Sequence, residues 1–462
     1  MPDRQPPPPD QQRRPPRDRG DNRRPAAGHR GHPGPQKPRH RAEPQPVPPH
    51  LPSWPHTVSL VLRPGTATPV LAGHPWLFSG AIAHTLAGPD TVIAAGVRCC
   101  VFDQHARYLG VGYYNPDSQI AVRMMAAAVD GLEPQQLPEL AEIAALRVRQ
   151  AVQLRRQLGL PSADTTAFRL LNADGDLLPG CIIDRYADGA VVQLSTAGAW
   201  LWRQAVVDAL HAEGLIWCCL RVPTDIHPSE GLLGGTTENH GPVPAKLTVL
   251  LAGLQFEVEP GSGQKTGLYC DQRDNHLRVA QLATGRFVVD AFCHFGGFGL
   301  QAARAGATKV LCVDASQRAV DATFAHAERN GVVVQVQCGD AIHVLRQLGD
   351  AADPAKPSLV IVDPPKYATK AAALEAALKK YQALNAVALR AVQDGGWLVS
   401  CSCSGLVEPP AFVRMLAMAA HEAGVSVQLV ELRGASADHP TAPAHAEGRY
   451  LKVAILRVLS KA

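Results

Sequence analysis

Residues Val288 to Gly306 read VVDAFCHFGGFGLQAARAG: an apolar run, an acid at Asp290, a turn holding Gly296, Gly297 and Gly299, then an alanine-rich segment. An acid and a glycine turn between strand and helix let an open α/β sheet present a ligand to a helix N-terminus. The spacing does not fit G-x-G-x-x-G, and glycines in such turns also serve packing alone. The remainder of the C-terminal half adds weight. From Gly261 onward, FVVDAF, KVLCVD, VQVQCGD, LVIVDPP, GGWLVSCS and YLKVAIL alternate with helical segments. That alternation predicts a mostly parallel, doubly wound sheet over residues 259–462.

Further acids end the next strands. Asp314 closes KVLCVD, where a carboxylate can accept both ribose hydroxyls; Asp340 lies in CGDA, beside an adenine; Asp363 closes LVIVD. A single strand-end Asp is most often a helix N-cap. Four in succession, with Asp290, outline a nucleoside site along one sheet edge. The ligand's charge then discriminates: a dinucleotide pyrophosphate wants a phosphate-cradling loop, whereas S-adenosylmethionine is cationic at sulfur and tolerates Asp290 beside its methionine portion. The donor expected is therefore S-adenosylmethionine rather than NAD. It rests on the turn Phe292, Gly296 and Gly297.

Asp363-Pro364-Pro365-Lys366-Tyr367 is more specific. Proline fixes φ and has no N–H, so two in a row hold the following loop stiffly, and Tyr367 can stack on a base or simply pack. Methyltransferases acting on exocyclic nitrogens place an aromatic directly after the prolines, and here Lys366 intervenes. Ser400 to Gly405 then reads SCSCSG. Residues two apart on a strand face alike, so Cys401 and Cys403 share a side, with Cys403 nearer the open edge. A nucleophilic thiol needs a nearby cation, and Lys366 is the candidate; the bland alternative makes both cysteines core residues.

Composition bounds the rest. The chain has 462 residues and a net charge of +4, with 11 Lys and Arg against 5 Asp and Glu in residues 1–50, so the remainder is slightly acidic at 34 against 36. No apolar run is long enough to span a bilayer. The 11 cysteines contain no C-x-x-C pair, so neither a metal site nor a disulfide framework is expected, and the thiols suit a cytoplasmic protein. Residues 1–56 are rich in Pro and Arg and read as a disordered tail. Short strands with turn chemistry over 57–128 predict a small β-barrel-like module. Residues 129–164 read as a linker helix with Arg147, Arg149 and Arg156 off its apolar stripe, and 165–258 as a central α+β unit.

The stretch GQKTGLYCDQRDNH (Gly263 to His276), followed by VVDAFCHFGGFGL, VDASQRAVDATFAHAERNG, VIVDPPKYA, SCSGL, ADHP and EGRYLK in that order, resembles the RlmI family of 23S rRNA cytosine-C5 methyltransferases. AGHPWLFSGAI and FRLLNADGDLLPGCIIDRY resemble that family's N-terminal PUA domain and central domain. The resemblance covers about residue 58 to the end. It implies a PUA domain that docks on ribosomal RNA and a class I, Rossmann-like methyltransferase domain, in a family that includes homodimers. It also implies that Lys265, Thr266 and the run Gly267 to Arg273, Tyr269 among them, line the donor pocket, with Arg273 pairing the donor carboxylate, and that Cys403 is the nucleophile. Pro364, Pro365 and Tyr367 then face the base that Asp363 grips. Pro365 stands where some cytosine-C5 enzymes have a second cysteine, and His294 stands where the family has a small or polar residue. Two other readings stay open: nitrogen methylation of guanine or adenine, and a ribosome-assembly factor without catalysis.

Overall fold

The computed structural model describes residues 51–131, 138–261, 267–352, 355–368 and 370–459. The tail assigned to 1–56 lies outside these up to residue 50. Leu51 and Trp54 are described, and both pack on the apolar core behind the N-terminal sheet, with Trp54 stacked on Phe102 at 6.4 Å.

That sheet contains β1 (Val58–Leu62), β2 (Trp76–Phe78), β3 (Ile82–Ala87), β4 (Val97–Phe102), β5 (Tyr108–Tyr114) and β6 (Ile120–Ala127), ordered β2-β6-β5-β4-β1-β3, with α1 (Thr68–Leu71) between β1 and β2. Register shifts interrupt four of its ladders, and such bulges bend strands and increase twist, which curls the sheet. Helix α2 (Leu140–Gln157) comes next in the chain. Arg147, placed off the apolar stripe by its spacing, is instead on the buried face, because its guanidinium reaches Met125 O at 3.1 Å and Asp130 at 3.1 Å. Paired charge makes that burial tolerable.

The central region has β7 (Ala167–Asn172), β8 (Cys181–Tyr186), β9 (Gly189–Leu194), α3 (Ala197–Leu201), α4 (Arg203–Ala212), β10 (Trp217–Arg221) and β11 (Thr237–His240), in a sheet ordered β11-β10-β9-β8-β7. A separate two-stranded ladder, β12 (Leu247–Leu251) with β13 (Leu254–Val258), comes after it.

The C-terminal sheet is the largest. Its elements are α5 (Arg273–Ala280), β14 (Phe287–Ala291), α6 (Gly297–Arg304), β15 (Lys309–Asp314), α7 (Gln317–Arg329), β16 (Gln335–Cys338), α8 (Ala341–Gly349), β17 (Leu359–Val362), α9 (Leu374–Ala391), β18 (Trp397–Ser402), α10 (Pro409–Ala423), β19 (Val427–Arg433) and β20 (Lys452–Val458). Strand order is β16-β15-β14-β17-β18-β20-β19, parallel from β16 to β18 and antiparallel at β20 and β19. Val289, Ala291, Val360 and Val362 face the core under α8, α9 and α10, while Val288, Leu359, Ile361 and Val399 face the core under α5 and α6. Layers on both sides explain why these strands are continuous apolar runs rather than alternating ones. The order reverses at β14, between β15 and β17, and a crevice at the carboxyl ends of such strands is where open α/β sheets hold ligands. No helix among the described residues is long and apolar enough to cross a membrane.

Candidate active site

The turn after β14 is backbone under constraint. Phe292 and His294 both have positive φ, 65° and 50°, and Gly296 is next at 85°. Non-glycine residues held there store strain, which clusters at functional sites. The glycines answer to packing: a Cβ on Gly297 would stand 2.3 Å from the His276 ring, and one on Gly299 would stand 2.4 Å from the Cys312 sulfur. Gly299 N–H donates to Asp290 Oδ2 at 2.8 Å. The other oxygen, Asp290 Oδ1, is buried and accepts nothing. Burial pushes the Asp290 carboxyl up to about 7, against the Gly299 hydrogen bond, with Asp363 and Asp314 adding repulsion. A buried orphan acceptor with acidic neighbours is a place that a cation improves, which fits the sulfonium donor expected from the sequence.

Asp314 accepts the His294 N–H at 3.0 Å and the Ser316 N–H at 2.9 Å, so it also shapes the glycine turn. Asp340 is exposed and caps α8 through Ile342 N–H at 2.7 Å and His343 N–H at 3.3 Å, the ordinary role of a strand-end aspartate. Phe292 packs on the core under α8 to α10, and Tyr269 lies edge-on to His294 at 4.7 Å. Lys265 and Thr266 lie outside the described residues.

Arg273 departs from the expectation. Its guanidinium is buried, 3.0 Å from Asp438 and 3.0 Å from Asp274, so two carboxylates of the chain already occupy it. Gln272, which the resemblance places in the donor-pocket run, takes an interior role: Nε2 donates to Asp363 Oδ2 at 3.0 Å, Oε1 accepts from Asn275 at 2.8 Å, and its amide works against the burial of the Cys401 thiol. The DQR run thereby ties the start of α5 to the ends of β17 and β18. Spacing cannot reveal this, since 91 residues separate Gln272 from Asp363.

At the other side of the crevice, Pro365 and Lys366 are exposed and Tyr367 is half-buried, its ring 4.7 Å from that of Tyr381. Ser404 joins the two loops: its hydroxyl accepts Ala368 N–H at 3.2 Å and lies 3.0 Å from the Tyr381 hydroxyl. The two cysteines now differ. Cys401 is fully buried, and burial followed by the nearby Asp363 charge pushes its thiol well above the usual range. Cys403 is only part-buried, on the same core face. The cation built into its turn is not exposed Lys366 but Lys452 of β20, whose Nζ donates to Ser404 O at 2.6 Å and Tyr450 O at 2.7 Å. In the sequence that lysine is no more than the last residue of EGRYLK.

A seven-stranded sheet with this order, a strained acidic turn after its first strand and a curled sheet upstream define an S-adenosylmethionine-dependent methyltransferase with an N-terminal PUA-like domain. A PUA-like domain model matches residues 60–127, and a model described as S-adenosylmethionine-dependent methyltransferase matches residues 240–453. The ribosomal RNA large subunit methyltransferase I of Shewanella denitrificans is 34% identical over 411 residues, 87% of this chain and 99% of that protein; its counterpart from Tolumonas auensis is 34% identical over 397 residues, 84% and 96%. The chain belongs to the ribosomal RNA large subunit methyltransferase I family and is an S-adenosylmethionine-dependent methyltransferase of large-subunit ribosomal RNA. Among solved structures, a candidate SAM-dependent methyltransferase from Streptococcus mutans superposes with a TM-score of 0.71 at 18% identity, covering 87% of this chain and all of the other. SMU.776, a candidate methyltransferase complexed with SAH, superposes equally well. Both share the fold.

Proposed function

We propose that this enzyme methylates carbon 5 of a cytosine in large-subunit ribosomal RNA, with Cys403 as a covalent nucleophile. One observation carries the reading: a part-buried thiol at the carboxyl end of β18, with a buried lysine in its turn and the Asp363 loop hydrogen-bonded to it through Ser404. Carbon 5 of cytosine is a poor nucleophile by itself. Addition of the Cys403 thiolate to carbon 6 makes carbon 5 enamine-like; once carbon 5 carries the methyl group, a base removes the carbon-5 proton and the thiolate leaves. S-adenosylmethionine, when bound, supplies the electrophilic methyl group that the activated carbon takes up. Asp290, Asp314 and the turn from Phe292 to Gly297 hold the donor, with Asp290 toward its positive end. Asp363, steadied by Gln272, grips the N3/N4 edge of a base that must leave its stack to reach the thiol. Pro364 and Pro365 keep that grip stiff.

The test is incubation with a ribosomal RNA fragment carrying 5-fluorocytidine, whose fluorine blocks the final elimination. A denaturing gel should show a stable protein–RNA adduct with the native enzyme and none with Cys403→Ala. Methyl transfer to ordinary RNA without any adduct on the fluorinated one would instead favour nitrogen methylation.

A further inference from the structure

We infer that Lys452 is the positioning residue that keeps Cys403 in its reactive, ionised form. The inference rests on the reading of Cys403 as nucleophile. In the β18–β20 ladder, Lys452 stands opposite Ser402, one residue before Cys403. Its side chain is 2% exposed, yet no carboxylate among the described residues pairs with it. A buried ammonium without a counter-charge is costly, and two neutral carbonyls do not neutralise it.

The hydrogen bonds account for two N–H groups, one to Ser404 O and one to Tyr450 O. A neutral amine has two N–H groups and one lone pair, so these acceptors hold it with the lone pair left over. That lone pair takes the proton of the Cys403 thiol: the S–H bond breaks, an N–H bond forms, and a thiolate–ammonium pair replaces a thiol–amine pair with no change in total charge. The surroundings agree. Burial lowers the Lys452 ammonium to about 8, the Cys403 negative charge works against that fall, and Lys366 adds a lesser repulsion. Cys401 on β18 and Tyr450 before β20 are both held well above their usual ranges by burial, Tyr381 on α9 is raised by its own burial, and Asp363 adds negative charge near Cys401. None supplies a cation.

The same ladder explains the restraint on access. Lys452 cannot swing out to solvent while both carbonyls hold it, so the charge stays beneath the turn rather than meeting RNA phosphates. Exposed Lys366 is left for that outer role.

The experiment reads the thiol directly. Cys403 alkylation by iodoacetamide is followed against pH by mass spectrometry of its peptide, with glutathione in the same tube as a reference. In the native protein the midpoint should fall below that of glutathione. Lys452→Met should raise it by about one pH unit or more, the size expected for loss of an opposite charge within ~4–6 Å, and Lys452→Arg should restore most of the shift. A native midpoint at or above that of glutathione overturns the inference even if the methionine variant fails to fold. An unmoved midpoint in a folded Lys452→Met protein does the same. If Cys403→Ala retains methyl transfer while the midpoint still depends on Lys452, the nucleophile reading fails and the pairing stands.

Discussion

Asp290 is a carboxyl group whose ordinary chemistry is reversed by its place at the end of β14. Because the fold raises its pKa, it stabilises the native state fully below about pH 4, the unfolded value, and this contribution is lost as pH rises through about 7. A cationic donor favours the ionised form, so binding and titration oppose each other below neutrality. Calorimetry should find S-adenosylmethionine bound about tenfold more weakly at pH 6 than at pH 8, with proton release on binding at the lower pH. Asp290→Asn should flatten that dependence, and the neutral-sulfur product should show less of it. A flat profile in the native enzyme would remove Asp290 from the donor site. Asp290, Asp314 and Asp363 are legible in the sequence because a strand-ending acid is a local pattern. Asp340 is legible too, but its side chain is spent on the α8 cap, a choice that depends on where the following N–H groups point.

At the scale of elements, the segment before α5 is held by a buried network. Burial disfavours charge on Asp438, but the His439 ring, Arg273 and the Arg169 N–H outweigh it and hold the carboxyl below its usual range. Its stabilisation is therefore present above about pH 4 and is lost as pH falls through the lower native value. Asp438→Ala leaves Arg273 facing only Asp274, and removing one partner of a buried pair costs roughly 3–5 kcal/mol. Denaturant unfolding should show this loss; a change below about 1 kcal/mol would mean that the pair is not buried in solution. In the sequence Arg273 passes for a donor ligand because an arginine in a motif looks available. Its partner lies 165 residues away, beyond the reach of any local pattern. Strand β19 is hard to see for another reason: at the sheet edge only part of it is covered, so VQLVELR lacks the apolar run that marks the central strands.

Across the whole molecule, the PUA-like sheet joins the central region through an apolar core shared by β4, β5, β6, α2 and β7 to β9 and through buried pairs such as Arg123 with Glu230 at 2.7 Å, while β2 reaches toward the C-terminal domain. Trp76 Nε1 donates to Asp174 at 2.8 Å, and the Trp76 ring lies 4.4 Å from the ring of His445, in the loop that leads to Lys452. Arg155 of α2 binds Asp176 and also reaches Asp438 O at 2.7 Å. On the mechanism proposed above, these contacts set where RNA held by the PUA-like sheet meets the Cys403 thiol. Trp76→Ala should raise KM for ribosomal RNA several-fold while leaving donor affinity unchanged, as measured by filter binding and calorimetry. Equal loss of both would mean that the residue only supports the fold.

The sequence by itself determined the doubly wound sheet, the acidic carboxyl edge, the proline-stiffened loop and Cys403 as the member of its pair nearer the open edge, since apolar runs, turn residues and strand alternation are local properties of the chain. Only the tertiary structure decided which charges meet. β20 runs antiparallel between β18 and β19, and that placement alone brings Lys452 under a turn 48 residues away in sequence. Burial then turned Asp290 and Cys401 into groups unlike their free forms, because desolvation depends on everything packed around a side chain.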